Sequence, residues 1–251
     1  MSTAKELAAA LTAQADPERA AHSARYFKTG PGEYGEGDQF LGLPVPLTRS
    51  ITRAHLPLPV SEAQILLTSE LHEHRLSALL ALVATFESAS RKRTWDDGVR
   101  EATHEAYLSA VRLGQVNNWA LVDTSAPTLA GSAWRPGVPS SGDIDAFATS
   151  PQLWERRVAV LACYSWILEG SSEPAFRIVT RVLGDSEDLM HKAAGWMLRE
   201  VGKRVSEAEL LGYLDAFAGA MPRTALSYAT EHLTPQQRAY YRAIPRTTLR
   251  P

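Results

Sequence analysis

The chain has 251 residues, which is long enough to bury a sizeable core in one domain or in one continuous repeat array. Hydrophobic residues make up 45% of it and charged residues 22%, both ordinary for a soluble globular protein, and no apolar run approaches the roughly 18 residues of a membrane span. The first residues place Lys5 and Glu6 among alanines instead of the apolar core of a signal peptide, which predicts a cytoplasmic protein.

Charge is distributed unevenly along the chain. The net charge is −2, but residues 190–251 hold nine Lys/Arg against five Asp/Glu, a balance of +4 that leaves −6 for residues 1–189. Such asymmetry is compatible with one basic face, and taken alone it is a weak indication of nucleic-acid binding.

The single cysteine, Cys163, excludes an internal disulfide and a thiolate metal cluster. It lies in the apolar run VAVLACYSWIL, which favours a buried structural thiol over a nucleophile.

Helical periodicity runs through most of the chain. Residues 61–88 have apolar side chains at three- and four-residue spacing with no internal Gly or Pro, which predicts a helix. Residues 150–170 begin with a candidate cap, Ser150, followed by Pro151, and residues 185–203 offer Asp185 or Ser186 as a cap. Since no stretch shows the sustained alternation of a strand, the sequence predicts an all-α protein.

A repeat underlies these helices. Three segments share a basic residue that leads a stripe of small and apolar residues: His74-Arg75-LSALLAL, Arg156-Arg157-VAVLAC and His191-Lys192-AAGWML. Their spacings of 82 and 35 residues suit helical-pair repeats of about 40 residues, and NNWALVDTSAP falls where a further unit belongs. We therefore predict one HEAT-like helical-repeat solenoid over residues 1–251 with a concave groove; an irregular helical bundle is the alternative.

Two segments interrupt the helices, a Gly/Pro-rich loop over residues 30–46 and an inter-repeat linker over 131–143. The loop contains Gly30-Pro-Gly32-Glu-Tyr-Gly35, which has the spacing of a dinucleotide-binding fingerprint. That fingerprint must follow a strand and open a helix, whereas this segment follows the helical pattern SARYFKT. The sequence thus gives no support for nucleotide binding here.

No residue pattern predicts a metal ion or an organic cofactor. His72 and His74 are two residues apart and point to different faces of a helix, and no HExxH or G-x-S-x-G motif occurs.

Trp119 and Asp123 form the most informative pair, because residues at i and i+4 share one face of a helix. One interpretation is a core tryptophan and a helix-end aspartate. The other is a functional surface to which Arg156, Arg157 and Trp196 on neighbouring repeats also contribute. A carboxylate, aromatic faces and a guanidinium suit a cation attached to a phosphate chain.

These residues carry a resemblance to the AlkD-type alkylpurine DNA glycosylases, a family of HEAT-like DNA alkylation repair proteins. The resemblance covers nearly the whole chain in five ordered blocks: ARYFKTG…FLGLPVP (24–46), NNWALVDTSAP (117–127), LWERRVAVLA (153–162), HKAAGWMLREVGK (191–203) and MPRTALSYA (221–229).

The resemblance implies that Asp123 is the catalytic carboxylate and that Trp119 and Trp196 hold the lesion nucleotide. Arg157 matches the phosphate-binding arginine of the family. We also expect contacts with DNA from Arg156, Tyr26 and Lys192. The segment GPGEYGEGD is longer than in the best-understood branch of the family and indicates a Gly-rich variant.

The implied activity is hydrolysis of the N-glycosidic bond of cationic N3- or N7-alkylated purines in double-stranded DNA. It proceeds without base flipping and leaves an abasic site, since nothing resembles the lysine nucleophile of a β-lyase glycosylase. We expect a monomer without cofactor. The competing hypothesis is a catalytically inactive HEAT-like scaffold that binds DNA or another protein; a basic groove would favour DNA, and an apolar one a protein partner.

Overall fold

A computed structural model describes residues 1–133 and 142–247 of the chain. The chain forms two compact units, Met1–Ala133 and Trp134–Pro251, and each is described by itself. Within the described residues all regular elements are helical, and the one β-type pairing is an isolated bridge between Gln39 and Leu71. This confirms the predicted all-α helical-repeat fold. In the same residues, no helix is both long and apolar enough to cross a membrane.

The N-terminal unit contains seven helices in its described residues, followed by one π-helical turn. The helices are α1 Ala4–Thr12, α2 Pro17–Tyr26, α3 Val45–Ala54, α4 Val60–Leu67, α5 His72–Ala89, α6 Asp97–Arg112 and α7 Trp119–Ala126, and the π-helical turn is Pro127–Gly131. Helix α5 is central, since α3, α4, α6 and α7 all pack against it. Its Leu79 and Leu82 are fully buried with Tyr107 of α6 and Leu121 of α7.

Where the structure describes it, the C-terminal unit contains seven further helices: α8 Gly142–Ala148, α9 Leu153–Leu168, α10 Glu173–Val182, α11 Asp188–Arg204, α12 Glu207–Phe217, α13 Arg223–Ala229 and α14 Pro235–Ala243. Helix α9 packs against α8, α10 and α11, and α11 packs against α10, α12 and α13. The three stripes that define the sequence repeat therefore lie on the long helices α5, α9 and α11. Their basic residues Arg75, Arg157 and Lys192 fall within the first two turns of these helices.

Three details of the sequence prediction are wrong. The helix expected over residues 61–88 is broken between α4 and α5, because the backbone at Leu71 and His72 pairs with Gln39 and His72 N donates to Gln39 O (2.7 Å). Helix α9 begins at Leu153 instead of after Ser150, because Arg156 donates to the carbonyl oxygens of Ser150 and Pro151.

The third wrong detail is the cap of α11. Its N-cap is Glu187, and the carboxylate of Asp185 instead accepts from the backbone N–H of Glu187 and pairs with Arg156. Most of the linker predicted over residues 131–143 lies outside the described residues.

Candidate functional site

The residues predicted to act on a substrate fall into two groups, one in each unit. The N-terminal unit contains Tyr26, Trp119 and Asp123, and the C-terminal unit contains Arg156, Arg157, Lys192 and Trp196.

Helix α7 presents the first pair. Asn118 is its N-cap, and the Asn118 side chain accepts a hydrogen bond from the backbone N–H of Ala120 (3.2 Å). This cap makes Trp119 the first residue of the helix and places Asp123 one turn later. Both side chains are partly exposed, whereas Leu121 and Val122 between them are buried in the core. The pair therefore lies at the surface, and the interpretation of Trp119 as a core residue is not supported.

Aromatic rings surround Trp119. Tyr26, which is 60% exposed, lies edge-on to Trp119 with 6.1 Å between ring centroids. Phe27 lies on another side at 5.2 Å and is itself stacked on Phe40 at 5.1 Å. The structure thus brings together Tyr26 and Trp119, two residues that are far apart in the sequence. Rings held in this way offer π faces to a cation.

The carboxylate of Asp123 influences a buried phenol beneath the surface. Tyr107 is fully buried, and burial raises the pKa of its hydroxyl; the hydrogen bond from Ser125 opposes this rise, and the negative charge of Asp123 adds to it. The Tyr107 hydroxyl therefore stays protonated at any physiological pH. Asp123 thus lies close enough to Tyr107 for its negative charge to act on the buried hydroxyl.

A buried ion cluster that the sequence did not indicate lies behind this surface. The side chain of Asp38, in the Gly-rich loop, is fully buried and forms an ion pair with Arg75 of α5. A second oxygen of Asp38 lies 3.0 Å from Nδ1 of His72 and accepts from Nδ2 of Asn118 at 3.2 Å. Through Asn118, Asp38 is connected to the cap of α7 and hence to Trp119.

Glu73 fixes the end of the same loop. Its carboxylate oxygens accept from the backbone N–H groups of Leu41, Gly42 and Leu43, at 2.9, 2.8 and 3.1 Å. Sequence analysis missed the roles of Asp38 and Glu73, since their partners are at least 30 positions away in the chain and no local spacing connects them. For Asp38 the available signal was an acidic residue in a stretch otherwise rich in glycine, and for Glu73 the sequence held no signal.

In the C-terminal unit both arginines are used to hold helices together. Arg157 is buried and donates to the carbonyl oxygen of Leu189 at 2.6 Å, which connects α9 to the first turn of α11. Arg156 forms an ion pair with Asp185 at 2.6 Å, in addition to its bonds to the two carbonyls before α9. The expected contacts of Arg156 and Arg157 with DNA stay predictions.

Trp196 lies on α11 and is only partly buried. Its indole N–H donates to Glu200 one turn later (3.3 Å), and its ring is 6.3 Å from that of Tyr164. Burial raises the pKa of Glu200, but hydrogen bonds and charges from Arg204 and Arg199 outweigh that effect and hold the pKa below its ordinary value. Glu200 is therefore ionised at neutral pH and gives the indole a charged acceptor.

Lys192 is the most exposed of the predicted cations in this unit. Its ammonium lies 2.8 Å from Asp188 one turn earlier, and 42% of its side chain is exposed. The hydrogen bond from Lys192 is the main cause that lowers the pKa of Asp188. Among the described residues, no group of three or more His, Cys, Asp or Glu side chains is arranged to hold a metal ion.

The fold is thus an all-α helical repeat, with a partly exposed tryptophan and a carboxylate on consecutive turns of α7. The family model described as "DNA alkylation repair enzyme" matches residues 7–233, and the chain belongs to this family. Membership confirms the resemblance drawn from the five sequence blocks and supports a role in the repair of alkylated DNA.

A solved structure shares the fold. It is described as a predicted DNA alkylation repair enzyme from Enterococcus faecalis, with 16% sequence identity and a TM-score of 0.53, and the match covers 88% of this chain and 98% of that one. No curated protein matches the chain.

Proposed function

We propose that the protein is a monofunctional DNA glycosylase that hydrolyses the N-glycosidic bond of cationic N3- or N7-alkylated purines in double-stranded DNA. The observation that carries the proposal is the placement of Trp119 and Asp123 on consecutive turns of α7, both partly exposed, with the ring of Tyr26 beside that of Trp119. Family membership supports the choice of alkylated DNA as the substrate.

In this reaction the base is already a good leaving group, and the main task of the enzyme is to stabilise the charge that develops on the sugar. Alkylation at N3 or N7 makes the purine a cation, so it leaves as a neutral base with the electron pair of the bond to C1′. Positive charge develops on the sugar as that bond breaks. A water molecule then forms the new bond to C1′ and releases a proton, which leaves an abasic site and intact strands.

We assign to Asp123 the stabilisation of the positive charge that develops on the sugar. A fixed carboxylate stabilises the oxocarbenium-like charge, and it can orient the attacking water or accept its proton. The reaction needs no metal or organic cofactor in this scheme, because the cationic base is already activated for departure.

The aromatic residues are assigned to the lesion nucleotide. An aromatic face favours a cation by roughly 0.5–2 kcal/mol, depending on how well water is excluded. Tyr26 and Trp119 are partly exposed at a surface, a position suited to contact a duplex whose bases remain stacked. We therefore propose that the enzyme does not flip the base, and that selectivity comes from the charge and lability of the lesion. Bulky N3 or N7 adducts are then acceptable substrates.

The C-terminal unit is assigned to contact with DNA. Trp196 provides a second partly exposed aromatic face, and Lys192 provides an exposed cation for a backbone phosphate. Arg157 and Arg156 are assigned to the same backbone, with planar guanidinium groups already oriented by Leu189 and Asp185. Binding should then weaken steeply with salt, because phosphate contacts release counterions.

The test measures free base released from duplex DNA that contains N7-methylguanine or N3-methyladenine. We expect release by the wild type and a fall of about 100-fold or more for Asp123→Asn, which keeps the shape but removes the charge. Glu105→Gln is the matched control, because Glu105 is an exposed carboxylate of α6 in the same unit, and this variant should keep full activity.

Three outcomes would overturn the proposal or one part of it. If the wild type binds DNA but releases neither base, the protein is an inactive DNA-binding scaffold. If Asp123→Asn retains the wild-type rate, the catalytic role of Asp123 is wrong. Strand breaks that appear without alkali treatment would show a lyase in place of a monofunctional glycosylase.

A further inference from the structure

The Gly-rich loop, which spans residues 30–44 because α3 begins at Val45, is fixed in place on the N-terminal unit. Asp38 anchors its middle to α5 and to the cap of α7, and Glu73 anchors its end. Gly35 lies so close to α2 that an added Cβ would be 2.3 Å from the carbonyl oxygen of Phe27, so only glycine fits there. The backbone N–H of Gly35 also donates to the carbonyl of Lys28 (3.1 Å), a residue in the left-handed region with φ 52°.

This anchoring places one side chain of the loop against the candidate site. Tyr34 precedes Gly35, and its hydroxyl accepts a hydrogen bond from the indole N–H of Trp119 at 3.3 Å, across 85 positions of the sequence. The ammonium of Lys28 lies 6.0 Å from the centre of the Tyr34 ring. Tyr34 thus completes a set of three rings around Trp119, together with Tyr26 and Phe27.

The hydrogen bond has a consequence for the orientation of the indole. The χ2 torsion of tryptophan is broad, so packing on one side does not by itself fix the plane of the ring. A bond to the indole N–H restricts that torsion. It also occupies the only hydrogen-bond donor of the side chain, so Trp119 meets a ligand with its π face and not with its N–H.

We propose that Tyr34 is a positioning residue that sets the plane of Trp119, and that the Gly-rich loop exists in this chain as a wall of the aromatic surface. The ligand class that such a surface recognises is a cationic, flat heterocycle such as an alkylated purine. The inference has a structural part, the orientation of Trp119 by Tyr34, and a kinetic part, the effect of Tyr34 on base release. The kinetic part rests on the proposed function, whereas the structural part does not.

The structural part is tested by NMR of the tryptophan indole N–H groups. The chain has six tryptophans, and the signal lost in Trp119→Phe identifies that of Trp119. In Tyr34→Phe, which keeps the ring and loses only the hydroxyl, we expect that signal to move upfield while the others stay. Tyr240→Phe removes the hydroxyl of an exposed tyrosine on α14 and should move none of the indole signals. An unmoved Trp119 signal in Tyr34→Phe would overturn the inference, whether or not the protein is a glycosylase.

The kinetic part is tested by a double-mutant cycle on single-turnover base release. Loss of one hydrogen bond should slow the reaction by about 3- to 10-fold in Tyr34→Phe. If Tyr34 acts through Trp119, the same change should have no further effect in a Trp119→Phe background. Equal losses in both backgrounds would show that Tyr34 acts on DNA directly and would overturn the positioning role. If the wild type itself releases no base, the proposed function fails and the NMR result alone decides the role of Tyr34.

Discussion

The two tryptophans of the candidate site, one in each unit, both donate their indole N–H, but they are held differently. Trp196 donates to Glu200, four residues later on the same helix. Trp119 donates to Tyr34, which belongs to a loop that precedes it by 85 residues. The acceptor is a charged carboxylate for Trp196 and a neutral hydroxyl for Trp119.

The difference shows how much of the fold each position depends on. Trp196 keeps its acceptor as long as α11 is helical, because residues i and i+4 are neighbours on any helix. Trp119 keeps its acceptor only while the Gly-rich loop stays docked, which in turn needs the buried charge of Asp38. The orientation of Trp119 should therefore be the more sensitive of the two to changes far from the site.

The largest loss of stability is expected when the buried ion pair that holds the Gly-rich loop near Trp119 is removed. Asp38→Ala leaves the buried guanidinium of Arg75 without its carboxylate, and removal of one partner from a buried pair costs about 3–5 kcal/mol. Urea unfolding should show this loss of stability. Asp97→Ala, which removes an exposed partner of Arg100, is the control and should change stability little. Equal midpoints for the two variants would mean that Asp38 does not anchor the loop.

The second prediction concerns the packing behind Trp196. A Cβ at Gly195 would lie 2.4 Å from the carbonyl oxygen of Ala225, so Gly195→Ala should push α11 away from α13 and cost about 1–3 kcal/mol. Gly212 of α12 is exposed and has no atom within 4 Å of an added Cβ. Gly212→Ala should therefore stabilise the protein, by up to about 1 kcal/mol. Melting temperatures that shift in the same direction for both variants would contradict the close approach of α11 and α13.

The smallest effect is expected from the charge on the acceptor of Trp196. In Glu200→Gln the amide oxygen can still accept from the indole, but the attraction to Arg199 and Arg204 is lost. The pKa of Glu200 is lowered in the fold, so its charge contributes stability above the ordinary value of 4.5, and this contribution disappears as the pH falls through the folded pKa. The melting temperature of Glu200→Gln should be a few degrees below wild type near neutral pH, by about 2–4 °C for each kcal/mol lost, and should approach it in acid. A difference that is constant with pH would show that the charge is not the cause.

The parts of the fold that could be predicted are those in which neighbours in sequence are neighbours in space. The small and apolar stripes correctly predicted the long helices α5, α9 and α11. The break before α5 could not be predicted, since it depends on the pairing of Leu71 with Gln39. Ser150 failed as a cap for a similar reason, because Arg156 binds its carbonyl oxygen and keeps it outside α9.

The residues of the candidate site differ in the same way: those related by local spacing could be predicted, and those joined by long-range contacts could not. Trp119 and Asp123 were found because an i, i+4 pair on a helix is visible in the sequence. Tyr34 and Asp38 were not found, since a hydrogen bond across 85 residues and an ion pair across 37 leave no local pattern. The family resemblance did not supply them either, since the Gly-rich loop is where this chain departs from the best-understood branch.

The burial of Cys163 has a practical consequence. The thiol is fully buried, its Sγ points to the carbonyl oxygen of Ala159, and burial raises its pKa, so almost no thiolate forms at neutral pH. Since it is the only cysteine in the chain, a new cysteine engineered at the exposed position of Tyr26 would be the sole reactive thiol under native conditions. Site-specific fluorophores, spin labels or disulfide crosslinks to thiol-bearing DNA can thus be attached without first removing the native residue.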